Sequence, residues 1–141
     1  MPEAKLPRYR LLVIEEEPDT LWFFEKVFRR FPQIEFFGTR DPKEAVEIAE
    51  RVRPDVVISE IYFGRLQYLT GEWLIDRIKE LCPAVKLIVT TAVWDEEVEE
   101  RFSKKRGVED KLLKPYSLED LVKKTFEALN EPYPLTPQNP T

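Results

Sequence analysis

Short runs of aliphatic residues alternate along this chain with longer stretches of helical period, and that alternation restricts the fold more than any other feature. Leu11–Ile14, Val56–Ile58 and Leu87–Val89 are continuous apolar runs too short for helices and rich in β-branched residues. Such runs suit strands buried on both faces of a parallel sheet. Ile34–Gly38 and Lys111–Lys114 complete a set of five. Between the strands, Leu21, Phe24, Val27, Phe28 and Phe31 fall on one helical stripe, and Ala45, Val46, Ile48, Ala49 and Val52 on another. The second stripe has a clear start, with Asp41 as N-cap, Pro42 at the first helical position and Glu44 in the first turn, where a carboxylate meets the positive end of the helix dipole. Ser117, with Asp120 three residues on, opens a last helix whose stripe is Leu118, Leu121, Val122, Phe126 and Leu129. Glu72–Leu81 and Asp95–Lys105 read as two more. The interior prolines Pro18, Pro32, Pro42, Pro54, Pro83 and Pro115 fall at element boundaries. Five strands alternating with five helices predict an α/β fold, a flavodoxin-like (βα)5 doubly wound parallel sheet with strand order 2-1-3-4-5. In that fold ligands sit beyond the carboxyl ends of the strands, so the informative residues should terminate strands.

What the chain lacks narrows its chemistry. Histidine is absent, which removes imidazole acid–base, phosphocarrier and metal roles. Cys82 is the sole cysteine, excludes an internal disulfide and reads as an inert packing residue. Lys plus Arg total 22 against 27 for Asp plus Glu, and the net charge of −5 argues against a nucleic-acid surface built on phosphate neutralisation. No apolar run approaches the ~18 residues of a membrane span, and Met1–Leu6 lacks the features of a signal peptide, so the expected location is cytoplasmic, with no membrane partner. Four scattered glycines, none in a Gly-rich turn after the first strand, argue against nucleotide or flavin binding. Residues 1–8 are expected to form a flexible N-terminal segment, 9–130 the folded domain, and 131–141 a disordered proline-rich tail whose few apolar residues cannot offset its ordering entropy.

The predicted strand ends carry charge. Glu15, Glu16 and Glu17 end the first strand, Glu60 the third, Thr90 and Thr91 the fourth, and Lys114 followed by Pro115 the fifth. In order, LLVIEEEP, PDVVISEI, LIVTTA and GVEDKLLKPYS make a pattern that resembles the receiver (CheY-like) domains of two-component response regulators, over roughly Arg8 to Asn130. The resemblance implies that the acidic pair holding Mg²⁺ falls on Glu15 and Glu16, the phosphoacceptor on Glu60, the hydroxyl contacting the phosphoryl group on Thr91, and the neutralising lysine on Lys114. All three aspartates of the family pattern are glutamates here, which marks an atypical receiver, or pseudo-receiver. One extra methylene moves each carboxylate by a carbon–carbon bond, whereas Mg²⁺ demands oxygens at about 2.0–2.1 Å and misplacement on the order of 1 Å costs roughly a hundredfold in rate. The expected metal set Glu15, Glu16 and Glu60 is therefore vestigial, the expected cofactor is none, and Mg²⁺ is the ion to test. Lys111 stands three residues before Lys114, where signalling receivers usually carry a switching aromatic. The loop between Glu60 and Gly71, with Tyr62, Phe63, Tyr68 and Leu69, is longer than the usual turn and is expected to cover the site.

Plainer readings stand beside these. Glu15–Glu17 also fits a solvated charge run, Lys114 a structural counter-ion to Glu60 or Glu15, and Thr91 a hydroxyl satisfying local backbone. Phe24, Phe28, Phe31 and Trp73 read as packing residues, and Trp22 and Trp94 as more exposed. The function expected is a non-enzymatic signalling protein that acts through a protein partner, either a histidine kinase or a downstream target, or a second copy joined through residues 95–106 and 111–130. A conventional Mg²⁺-dependent, phosphorylatable regulator is the alternative, and a metal-dependent phosphohydrolase is the rival of another class.

Overall fold

The computed structural model describes residues 8–64 and 68–132. The expectations for residues 1–7, 65–67 and 133–141 lie outside the described residues. Five strands, β1 (Tyr9–Ile14), β2 (Ile34–Thr39), β3 (Val56–Glu60), β4 (Lys86–Thr91) and β5 (Val108–Leu113), alternate with helices α1 (Pro18–Phe28), α2 (Pro42–Val52), α3 (Tyr68–Leu81), α4 (Glu96–Arg101) and α5 (Leu118–Ala128). The strands pair in parallel in the order β2-β1-β3-β4-β5, as the alternation predicts. Because successive strand side chains point to opposite faces, the apolar runs feed two cores. Leu11, Val13, Val56, Ile58 and Ile88 meet α1 and α5 through Phe24, Phe28, Leu121 and Phe126, whereas Leu12, Ile14, Val57, Leu87 and Val89 meet α2, α3 and α4 through Ile48, Leu74, Ile78 and Val98.

The predicted caps form. Asp41 accepts from the Lys43 N–H at 3.0 Å and Ser117 from the Asp120 N–H at 3.0 Å, each satisfying a donor that the first turn leaves unpaired. Cys82 is buried, its thiol directed at the Ala49 carbonyl.

Several boundaries and burials differ from the sequence reading. Helix α1 ends at Phe28, so Phe31 is buried from the turn beyond it. Helix α3 begins at Tyr68 rather than Glu72, which shortens the loop after β3. The segment Asp95–Lys105 is not one helix: α4 stops at Arg101, Phe102 leaves helical geometry and is buried, and Ser103 caps a 3₁₀ turn over Lys104–Arg106. Gly107, at φ 92°, then turns the chain into β5. Strand β5 starts at Val108, paired with Leu87, and ends at Leu113, one residue short of Lys114. Trp73 and Leu118 are exposed, contrary to their assignment to packing surfaces; Trp22 is exposed as expected.

Candidate functional site

Parallel pairing brings the carboxyl ends of the strands to one edge of the sheet, where an open cleft of about 860 Å³ lies between them. Its lining includes Glu15, Glu16, Glu60, Thr91 and Lys114, the five residues expected at the metal and phosphoryl positions. Glu15 follows β1 directly and continues its pairing with β2 through the Thr39 carbonyl, 3.1 Å from the Glu15 N–H. Glu60 and Thr91 are the last residues of β3 and β4. Lys114 is fixed just past β5 by its N–H, which donates to the Thr91 carbonyl at 2.8 Å; the Lys114–Pro115 peptide is cis.

The charged groups form a tight arrangement. The Lys114 ammonium donates to Glu60 Oε2 at 2.5 Å and lies 3.6 Å from Glu15 Oε1. Both carboxylates are buried, whereas Glu16 and Glu17 are exposed. Glu15 Oε2 accepts from the Glu17 N–H at 2.9 Å, while Oε1 has no hydrogen-bond partner and depends on the charge of Lys114. Burial, with the like charge of Glu15 adding to it, pushes the Glu60 carboxyl up to about 7, against the pull of Lys114. For Lys114 the balance reverses: burial lowers its pKa, but the two carboxylates outweigh that and the net shift is upward. The cation has two carboxylate partners and so shifts upward, whereas the single ammonium is not enough to offset the burial of Glu60. Burial and the same two carboxylates also raise the Tyr116 hydroxyl.

Thr91 takes the local role. Its Oγ1 donates to the Val93 carbonyl at 3.1 Å. Glu16 turns away from the pair, its Oε2 accepting from the Gly64 N–H at 3.2 Å. Lys111 is outside the cleft, its ammonium 4.7 Å from the Trp94 ring centroid. Of the expected covering loop, Tyr62 is exposed on the cleft wall and Phe63 is buried in the core beneath; the side chains at 68 and 69 are outside the described set. The sequence reading missed Arg40, whose Nε donates to the Glu16 carbonyl at 3.0 Å and which lines the cleft. Strand order 2-1-3 was the available signal, because it places the residue after β2 beside the end of β1.

The receiver resemblance implies Mg²⁺, and the residues do not fit it as arranged. Among the described residues no three acidic side chains converge as a metal-ligating group. Glu16 Oε2 is engaged by the Gly64 N–H, and the ammonium contacts both of the other two carboxylates.

Among the described residues no helix is long and apolar enough to cross a membrane. The family model of the response regulator receiver domain matches residues 11–126, covering β2 to β5 in full and most of β1 and α5. The chain is 32% identical over 94 residues to a protein-glutamate methylesterase/protein-glutamine glutaminase 4 of Geobacter metallireducens, covering 66% of this chain and 26% of that protein. It spans about a quarter of the length of the curated relatives it matches. In fold it is similar to a two-component response regulator from Clostridium difficile, with TM-score 0.76, 19% identity and coverage of 87% and 97% of the two chains. A response regulator from Thermotoga maritima gives TM-score 0.74, 22% identity and coverage of 88% and 99%. With the family match spanning the sheet, and the same architecture in these neighbours, the chain belongs to the response regulator receiver family, the module of two-component signalling.

Proposed function

We propose that this chain is a pseudo-receiver, which signals by binding a protein partner without cycling an aspartyl phosphate and without catalysing a reaction. The observation that carries this reading is the Lys114–Glu60 contact of 2.5 Å, with Glu15 Oε1 3.6 Å from the same ammonium. The lysine that would neutralise a phosphoryl group is already paired to the residue in the acceptor place. Glu60 acts as a partial, built-in substitute for an acyl phosphate. The mimicry is incomplete, because a carboxylate offers one charge and two acceptor oxygens where a phosphoryl group offers a charge of roughly −1.5 to −2 and three. Phosphoryl transfer relies on in-line positioning of the attacking oxygen, and an oxygen held against an ammonium at the end of a longer side chain is poorly placed for it. The Thr91 hydroxyl, occupied by the Val93 carbonyl, fits the same reading.

For the partner surface we propose the face formed by residues 95–106 and 111–130. It carries Glu96, Glu97, Glu99 and Glu100 beside Lys104, Lys105 and Arg106, and the exposed Leu113 and Leu118. Both signs of charge in one patch suit a protein partner, including a second copy, better than a polyanion.

Incubation of the protein with Mg²⁺ and acetyl phosphate, followed by intact-mass measurement, tests the reading. No adduct is expected. A phosphoryl mass increase that disappears in Glu60→Gln defeats it and restores the conventional regulator. Sustained phosphoester turnover above that of a Glu15→Ala/Glu16→Ala/Glu60→Ala variant would instead establish the hydrolase.

A further inference from the structure

We infer that Lys114 is the resident cation of this cleft: its ammonium does the neutralising work expected of a divalent metal, and while positions 15, 16 and 60 are glutamates a divalent ion binds well only once that ammonium is removed. The inference deepens the pseudo-receiver reading and rests on it for an unmodified Glu60.

The argument begins with which oxygens are free. Glu60 Oε2 is taken by the ammonium at 2.5 Å, and Glu15 Oε2 by the Glu17 N–H at 2.9 Å. Among the described residues, Glu15 Oε1 is the fully buried side-chain oxygen without a hydrogen bond, and it lies 3.6 Å from the same ammonium. Glu16 Oε2, the third oxygen such a site would need, is held by the Gly64 N–H. A magnesium–oxygen bond is about 2.1 Å, so an ion on Glu60 Oε2 would sit at most about 4.6 Å from the ammonium, where the two cations repel strongly in a buried setting. The ammonium cannot diffuse away as a solvent cation would. Its backbone is anchored to β4 through the Thr91 carbonyl at 2.8 Å. Tethered charge therefore outcompetes free charge here, by the logic that makes an intramolecular partner effective at a concentration no solute reaches. Removing the ammonium while keeping the bulk of the side chain leaves two buried carboxylates facing each other, an arrangement that a divalent cation relieves.

The test is a cation titration of the full chain, read by ¹H–¹⁵N spectra for Mg²⁺ and by water proton relaxation for Mn²⁺. The unmodified protein and Lys114→Arg, which keeps the charge, should show no saturable change at Glu16, Ile61 or Ala92 through millimolar Mg²⁺. Lys114→Met should acquire one Mn²⁺ site per chain, bound roughly tenfold or more tightly than by the unmodified protein. If Lys114→Met folds only when Mn²⁺ is added, that also supports the inference. A saturable one-to-one Mg²⁺ site in the unmodified protein overturns it, as does a folded Lys114→Met that binds Mn²⁺ no better. Should that variant stay unfolded even with Mn²⁺, the titrations of the unmodified protein and Lys114→Arg decide alone. The two readings fail separately: a phosphoryl adduct on Glu60 defeats the pseudo-receiver reading, and metal binding by the unphosphorylated protein defeats this one.

Discussion

Glu60 concentrates the physics of the cleft in a single carboxyl group. Its pKa rises from 4.5 to about 7, mainly because burial disfavours the charged form. The folded state therefore holds the proton more tightly than the unfolded chain does. Its contribution to stability is fully present below pH 4.5 and is lost as pH rises through about 7. Lys114, shifted upward, stays charged across that window and adds no slope of its own. Urea unfolding of the wild type should thus show stability falling, relative to Glu60→Gln, between pH 4.5 and 7. The drop should be on the order of 1–3 kcal/mol, since each tenfold gain in proton affinity corresponds to ~1.4 kcal/mol and solvent in the open cleft screens part of it. A wild type that gains stability over the variant on going to neutral pH would show that Lys114 dominates burial. The reach of the side chain gives a second test. Glu15→Asp/Glu16→Asp/Glu60→Asp shortens all three carboxylates and should permit Mg²⁺-dependent phosphorylation that the wild type lacks, read as a mass increase with acetyl phosphate.

Where an element begins or ends depends on contacts that neighbouring letters do not reveal, and α3 makes the point. A Cβ built on Gly71 would lie 2.4 Å from the Ile61 carbonyl oxygen, a backbone atom with little freedom to retreat. The first turn of α3 is thus pressed against the exit of β3, immediately after Glu60, and only glycine permits the approach. Gly71→Ala should cost about 2–4 kcal/mol in denaturant unfolding and disturb the Ile61 amide, whereas Asp41→Ala, which removes one cap bond, should cost about 1 kcal/mol. Strand identity and order were legible because continuous apolar runs and capped helices are local signals. Asp41, Pro42 and Ser117 stand at their predicted positions for that reason. The early start of α3 was not legible, since its first turn packs at Gly71 against the Ile61 carbonyl, ten residues before Gly71 in sequence. Nor was the break after Arg101, where burial of Phe102 takes precedence over continuing a helical pattern. Strand β5 was read three residues short because Val108–Asp110 includes two acids whose strand geometry comes from pairing with β4, across a register shift between Leu87 and Ile88. The candidate site was more legible than these boundaries. Parallel topology sends strand ends to one place, but which oxygen Lys114 would choose required coordinates.

Taken together, the topology leaves one part of the molecule weakly tied and places it next to the cleft. The loop after β4 begins at Thr91, whose hydroxyl holds the Val93 carbonyl, and ends at Asp95, whose carboxylate caps α4 by accepting from the Val98 N–H at 2.9 Å. Between them the Trp94 indole N–H donates to Glu99 on α4, and its ring packs under Lys111 of β5. Helix α4 is only six residues long and buries just Val98 from its own length, so its position rests heavily on polar contacts. Glu72 of α3 supplies two of them, to Arg101 at 2.8 Å and Arg106 at 3.1 Å, from a side chain only 15% exposed. One carboxylate thus pins both α4 and the 3₁₀ turn behind it. Hydrogen exchange follows local opening, so each ~1.4 kcal/mol removed from a segment raises its exchange rate about tenfold. Glu72→Gln should therefore speed exchange of the Val98–Phe102 amides by roughly tenfold while β1 and β3 remain protected. Lys111→Ala should speed it less, because a half-buried cation–π contact contributes only about 1 kcal/mol. If the proposed partner binds residues 95–106 in their packed position, Glu72→Gln should weaken binding in proportion to the fraction of time α4 is open. A partner bound more tightly by that variant would show instead that docking requires α4 to move, and that the packed arrangement is the resting state.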